Sequence, residues 1–366
     1  FSGNPYDAGN DKTYSMDSLP QEFPSLGTGD YRTPACIIKN TDHTYCSDFR
    51  YESHSIRDGK YALEGLPAVY ADDDEAQTLE VVLEDRVTGV QAVLLYGVLP
   101  EYDIITRSVR IVNASSGHIS VKKLAPACLD MVGGRYDFIT FYGRHAMERN
   151  MQRMPVGHGV QKIGSLRGSS SHQYNPAVIM AEHEATEDAG SCYAMAFVYS
   201  GGFQSEAGQD QYYQTRLLMG FSEEQFAYPL SAGEEFQSPE VIMSYSSEGL
   251  ARLSQNLHRC MRTHLCRGKY KEVVRPILLN SWEASYFDFT GKSLLKLASE
   301  AAKLGIEMFV LDDGWFGKRD SELRGLGDWK VNEEKLGCTL GELIGKINDM
   351  GLKLNGGRIC EMVNED

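Results

Sequence analysis

Apolar and polar residues follow two different rhythms along this chain. In the first two thirds they change over at strand length. Thr78 to Asp85 mixes apolar and charged residues, Thr88-Gly89 supplies a turn, and Val90 to Val98 forms a second run. Ile104 to Asn113 follows, alternating from Thr106 onward, and Ser115-Ser116-Gly117 turns the chain into Ile119-Ser120-Val121. The runs Ala177–Ala181, Cys192–Tyr199 and Glu240–Tyr245 continue the theme. Short strands punctuated by turn residues predict an all-β, sandwich-type domain over residues 1–245. A helix is predicted next, capped by Ser246 or Ser247, because Leu250, Leu253, Leu257, Met261 and Leu265 share one face. Its stripe reads as core packing, and residues 246–270 read as the link between two domains.

From residue 271 the rhythm becomes strand, helix, strand. Ile277–Leu279 and Met308–Leu311 read as buried strands, and Leu352-Lys353-Leu354 begins a third. Between them, Leu294, Leu295, Leu297, Ala298, Ala301 and Leu304 describe an amphipathic helix that Gly305 is placed to stop. Leu340, Leu343, Ile344 and Ile347 describe a second helix, ended by Gly351. Strands separated by helices predict a parallel sheet. A closed (β/α)8 barrel takes roughly 250 residues, so residues 271–366 would hold only its first βα units.

The formal net charge of −15 argues against nucleic acid or an anionic membrane as a main partner. A neutral ligand meets no such objection. No apolar run is long enough to span a bilayer. Eight cysteines are scattered without CxxC spacing, so no metal site or redox motif is expected, and they read best as reduced cysteines of a cytoplasmic protein. The first residue is Phe1, so a signal peptide upstream stays open. The acidic run Asp72–Glu75 lacks the alternating spacing of a calcium loop and reads as a solvated loop. Neither a phosphate-binding loop nor a nucleophile elbow is present.

Candidate chemistry concentrates at the ends of two predicted strands. One ends in Asn280-Ser281-Trp282, the other in Asp312-Asp313-Gly314-Trp315. The C-terminal tips of parallel strands are where α/β folds place their ligands. As a metal site the carboxylate pair is weak, since no histidine follows His264. As acceptors for sugar hydroxyls the two aspartates are well suited; as a helix cap or an Asp-Gly turn they are equally well explained. Spacing alone does not separate these two readings. The chain's three tryptophans, Trp282, Trp315 and Trp329, all fall in this segment, and an indole can pack on the apolar face of a pyranose. Trp282 reads as a site residue and Trp329 as packing.

The residues from Arg275 to Ala284 and from Phe309 to Gly317 resemble motifs of glycoside hydrolase family 36, the bacterial α-galactosidases. Leu19–Pro24, Gly27–Arg32, Asp48–Tyr51, Gly65–Ala68 and Ile105–Arg110 are similar to that family's N-terminal domain. The resemblance implies an N-terminal β-supersandwich followed by a TIM-type barrel, and retaining hydrolysis of terminal α-galactosides such as melibiose and raffinose without a cofactor. It implies that Asp312 and Asp313 bind galactose hydroxyls and that Trp282 lines the same pocket. Retaining chemistry needs two carboxyl groups about 5 to 5.5 Å apart. The family's catalytic pair follows on later barrel strands, so no catalytic residue is expected before Asp366, and the chain alone is expected to be inactive. The family often forms tetramers. An α-N-acetylgalactosaminidase on the same scaffold, or a non-catalytic carbohydrate-binding fragment, are the alternatives. The sequence departs from the family pattern at Gly357 and at His145, where tryptophan is usual, and neither position joins the candidate site.

Overall fold

A computed structural model of the chain describes residues 16–356. They fall into two compact units that divide between Arg267 and Gly268.

The first unit is built on one large antiparallel sheet. Its strands run in the order Arg50–Asp58, Gln77–Asp85, Val90–Leu99, Ile104–Asn113, Val241–Ser246, Cys192–Phe197, Tyr174–Glu182, Tyr136–Arg144 and Met147–Pro155. The short strand Glu235–Gln237 also pairs with Ile104–Asn113. Two smaller sheets are present. One holds Cys36–Lys39, Ile119–Leu124 and Tyr228–Leu230; the other holds Gly159–Gly164, Phe203–Gln209, Thr215–Phe221 and Ala127–Met131.

Two cores bind these layers. Val81, Leu94 and Ile111 of the large sheet meet Ile38, Val121 and Leu230 of the first small sheet. Phe138, Val178, Met195 and Val241 meet Phe203, Leu217 and Met219 of the second. Side chains alternate across a strand, and this parity gives the large sheet a second apolar face. Phe138 points into the sandwich, whereas Ile139 joins Ala181, Cys192, Ala194 and Leu253 on the far side.

That far face is covered by the helix Gly249–Cys260, whose Leu253 is fully buried. The helix foreseen as a link thus lies within the first unit. Its start also differs from expectation. Ser246 belongs to the preceding strand, and its hydroxyl accepts from the Glu248 amide at 3.0 Å without capping the helix.

A buried ion cluster ties the segment before the first strand to the second small sheet. Arg216 lies directly across the ladder from Asp130. Its guanidinium donates to both Asp130 oxygens at 2.7 Å, to Asp30 at 2.7 Å and to the Thr33 carbonyl at 2.9 Å. Arg32 donates to Asp30 at 2.9 and 3.0 Å. The Asp30 and Asp130 side chains are each 1% exposed. Burial raises the Asp30 carboxyl, but Arg32 and Arg216 outweigh it and hold the group below the usual carboxylate range.

The second unit contains three parallel strands in the order Leu278–Asn280, Met308–Leu311, Lys353–Gly356. The helix Gly291–Lys303 connects the first two and opens with a Thr290–Ser293 capping box. It closes on Gly305 at φ +83°, with Gly305 N donating to Ala302 O and Ile306 N to Ala301 O. These paired bonds form a Schellman motif, which favours glycine at that position. The helix Leu340–Asn348 precedes the third strand and opens with a Thr339–Glu342 capping box. Phe309 and Leu311 of the middle strand, Leu294 and Ala298 of the first helix, and Leu343 and Ile347 of the second form one core. Among the described residues the first strand pairs with one neighbour, the middle strand, and Leu278 is 49% exposed there.

Candidate functional site

Parallel pairing places the two sequence-predicted tips side by side, since Asn280 is opposite Val310. The chain after each tip is fixed by bonds to the other. Ser281 N donates to Val310 O at 2.9 Å, and Asp312 N donates to Ser281 Oγ at 3.2 Å. Asn280 Nδ2 donates to Asp312 Oδ2 at 2.5 Å, while Asn280 Oδ1 accepts from Trp282 N at 2.8 Å. Asn280, which sequence reasoning left without a role, is therefore the joint between Asp312 and Trp282.

Asp313 is held differently. Arg319 Nε and Nη2 donate to its carboxylate at 2.8 to 3.1 Å, and Gly314 N donates to Asp313 Oδ1 at 2.8 Å. The Arg319 and Asp313 side chains are 6% and 12% exposed. Arg319 is anchored in turn, with Nη1 donating to the carbonyls of Ser321 and Arg324 at 2.8 and 2.9 Å. Gly314 takes φ +89°, and a Cβ there would stand 3.0 Å from Phe287 Cδ1, so the turn after the carboxylates needs glycine. Lys335 Nζ donates to Gly314 O at 2.8 Å and lies over the Phe289 ring. Burial lowers the Lys335 ammonium despite the nearby Asp320, Asp288 and Asp313.

Trp282 is half-buried and opens the short helix Trp282–Ser285. Its ring meets Tyr286 and Phe287 nearly edge-on, at 5.2 and 4.9 Å. Phe287 also lies beneath the Arg319 guanidinium at 5.5 Å, so the aromatic and ionic parts of the cluster share one wall. Trp315 and Trp329 pack instead: Trp315 is 4% exposed, and both rings contact Phe316. His145 is exposed at a hairpin, and Gly357 lies outside the described residues. Thus Asp312, Asp313 and Trp282 belong to one cluster, to which the structure adds Asn280, Arg319 and Phe287.

One other polar cleft has its charged groups engaged with one another. The cleft lined by Tyr31, Arg32, Asp210 and Arg216 holds the ion cluster already described, with Arg32 also 3.8 Å from Asp210. Among the described residues no group of three or more His, Cys, Asp or Glu is arranged to hold a metal. The seven cysteines there are free, and no helix is long and apolar enough to cross a membrane.

The cluster chemically resembles a receptor for a neutral polyol: two carboxylates as acceptors beside an aromatic wall. Residues 2–231 match the glycosyl hydrolase family 36 N-terminal domain, and residues 235–366 match melibiase. The bifunctional α-galactosidase/sucrose kinase AgaSK of Mediterraneibacter gnavus is 60% identical over 366 residues, which is 100% of this chain and 39% of that protein. α-Galactosidase Mel36A of Lactobacillus acidophilus is 42% identical over 96% of this chain and 48% of its own length. The crystal structure of an AgaA α-galactosidase variant from Geobacillus stearothermophilus in complex with stachyose superposes with a TM-score of 0.92 at 41% identity, covering 97% of this chain and 49% of that one. The chain spans less than half the length of these two relatives. Matches over both units, at this identity, place the three parallel strands at the start of the family's barrel, and the chain belongs to glycosyl hydrolase family 36.

Proposed function

We propose that the protein carrying this chain is an α-galactosidase that hydrolyses terminal α-galactose from sugars such as melibiose and raffinose, with retention and without a cofactor. The observation that carries this reading is the convergence of Asp312, Asp313 and Trp282 at the C-terminal tips of adjacent parallel strands. The aspartates accept galactose hydroxyls and Trp282 faces the apolar side of the ring. Neither aspartate is assigned to bond cleavage: they are adjacent in sequence and already committed to Asn280 and Arg319. The catalytic carboxylates come from residues other than those described. The free cysteines, two of them exposed, fit a cytoplasmic protein. The edge strand Arg50–Asp58, exposed along its length, fits a surface covered in a homo-oligomer such as a tetramer.

The test is galactose release from raffinose and melibiose by the protein produced at the length of its relatives. Release from both is expected; release from neither by folded protein removes the reading. In the same assay Trp282→Ala should raise KM about tenfold, the scale of one lost aromatic contact of roughly 1.4 kcal/mol. Trp282→Phe should recover most of the loss. A KM within about twofold of wild type for the alanine variant would return Trp282 to packing.

A further inference from the structure

We propose that Arg319 is a positioning residue that makes the two aspartates unequal, fixing Asp313 as a nearly saturated group and leaving Asp312 as the main acceptor of sugar hydroxyls. The inference rests on the galactoside reading above and extends it.

An ionised carboxylate offers about four acceptor directions. On Asp313, three donors occupy them: Gly314 N on Oδ1, Arg319 Nε shared between Oδ1 and Oδ2, and Arg319 Nη2 on Oδ2. One direction remains. On Asp312, Oδ1 accepts from Asp313 N at 2.7 Å and Oδ2 accepts from Asn280 Nδ2 at 2.5 Å. Two directions remain, one on each oxygen. Asp312 can therefore bridge two neighbouring hydroxyls, whereas Asp313 can take one.

The Arg319 fork also fixes the plane of the Asp313 carboxylate, because two donors on one planar group leave no rotation. Its own plane is fixed by the carbonyls of Ser321 and Arg324. The same guanidinium rests on Phe287, whose ring meets Trp282 at 88°. Removing the guanidinium frees the Asp313 carboxylate. A lysine would keep the charge but not the fork.

The experiment is a double-mutant cycle in the protein at the length of its relatives, with kcat and KM measured on an aryl α-galactoside and melting followed by circular dichroism. Asp313→Asn and Arg319→Gln are each expected to lower kcat/KM about tenfold. The double variant should lose no more than about twofold beyond Asp313→Asn, because Arg319 acts through that carboxylate. Arg319→Lys should recover part of the loss, and Asp312→Asn should lose more than Asp313→Asn. If Arg319→Gln does not fold, Arg319→Lys takes its place in the cycle with the same expectation of no added loss. Multiplying losses, about a hundredfold in the double variant, would overturn the role of Arg319 while leaving the galactosidase reading intact. A wild type inactive on the galactoside would overturn that reading and the role built on it.

Discussion

Asp312→Asn is expected to lower kcat/KM on an aryl α-galactoside by about a hundredfold or more, while the melting temperature stays within about 2 °C of wild type. Hydrogen bonds to charged groups contribute about 1.5 to 3 kcal/mol each, and tenfold in rate corresponds to about 1.4 kcal/mol. Two such bonds to the sugar therefore amount to at least a hundredfold. Asparagine makes matters worse at this position. One of its two terminal atoms becomes a donor, which would face Asn280 Nδ2 or Asp313 N as well as a sugar hydroxyl that needs an acceptor. Stability is spared because Asp312 is half-buried and its neighbour Asn280 is exposed to solvent. Kinetics on the purified variant, beside a thermal melt, separate the two effects. A loss below about threefold would make Asp312 a turn residue and nothing more.

Arg216→Met is expected to destabilise the first unit by about 4 kcal/mol at neutral pH, the scale for removing one partner of a buried ion pair. The substitution withdraws the guanidinium hydrogen-bonded to Asp130, leaving Arg32 Nη1 at 3.3 Å, and one of the two guanidinium groups bonded to Asp30. The pH dependence has a definite sign. The folded-state Asp30 carboxyl titrates below its ordinary value. Its contribution is therefore present in full at neutral pH and is lost as pH falls through that lowered value. In the variant the Asp30 carboxylate, left with one guanidinium instead of two, gains from protonation, so the gap between variant and wild type should narrow as pH falls toward 4. Denaturant unfolding at pH 7 and near pH 4 measures both quantities. A difference below about 1 kcal/mol at pH 7, or one that widens in acid, would show that the cluster is solvated and dispensable.

Elements with a strong local rhythm are legible in the sequence nearly to the residue. The run Ile104–Asn113 is a strand over its whole length, and Gly305 stops its helix as its position predicts. Local signals also explain the errors. Ser246 is a good cap by type, but it ends the preceding strand opposite Cys192, and strand pairing overrides a capping preference.

The partition of strands among sheets was not legible. Alternation tells which face of a strand is apolar, not which sheet supplies the opposite face, and Phe138 and Ile139 feed different cores.

In the candidate site, Asp312, Asp313 and Trp282 could be singled out because strand-tip carboxylates beside an indole are unusual. Their supports could not. Asn280 acts across 32 residues, and only the parallel register brings it opposite. Arg319 sits in a loop without periodicity, where nothing in the sequence says that its guanidinium turns back to Asp313. A charged residue six positions after a carboxylate in a Gly-rich loop is the one signal that could have raised it.

The measurement that bears most directly on the account is hydrolysis of an aryl α-galactoside by the protein at the length of its relatives, run beside the corresponding α-N-acetylgalactosaminide. The account predicts turnover of the galactoside, with little or none of the N-acetylated sugar. Turnover of only the N-acetylated sugar, or of neither by folded protein, would contradict it.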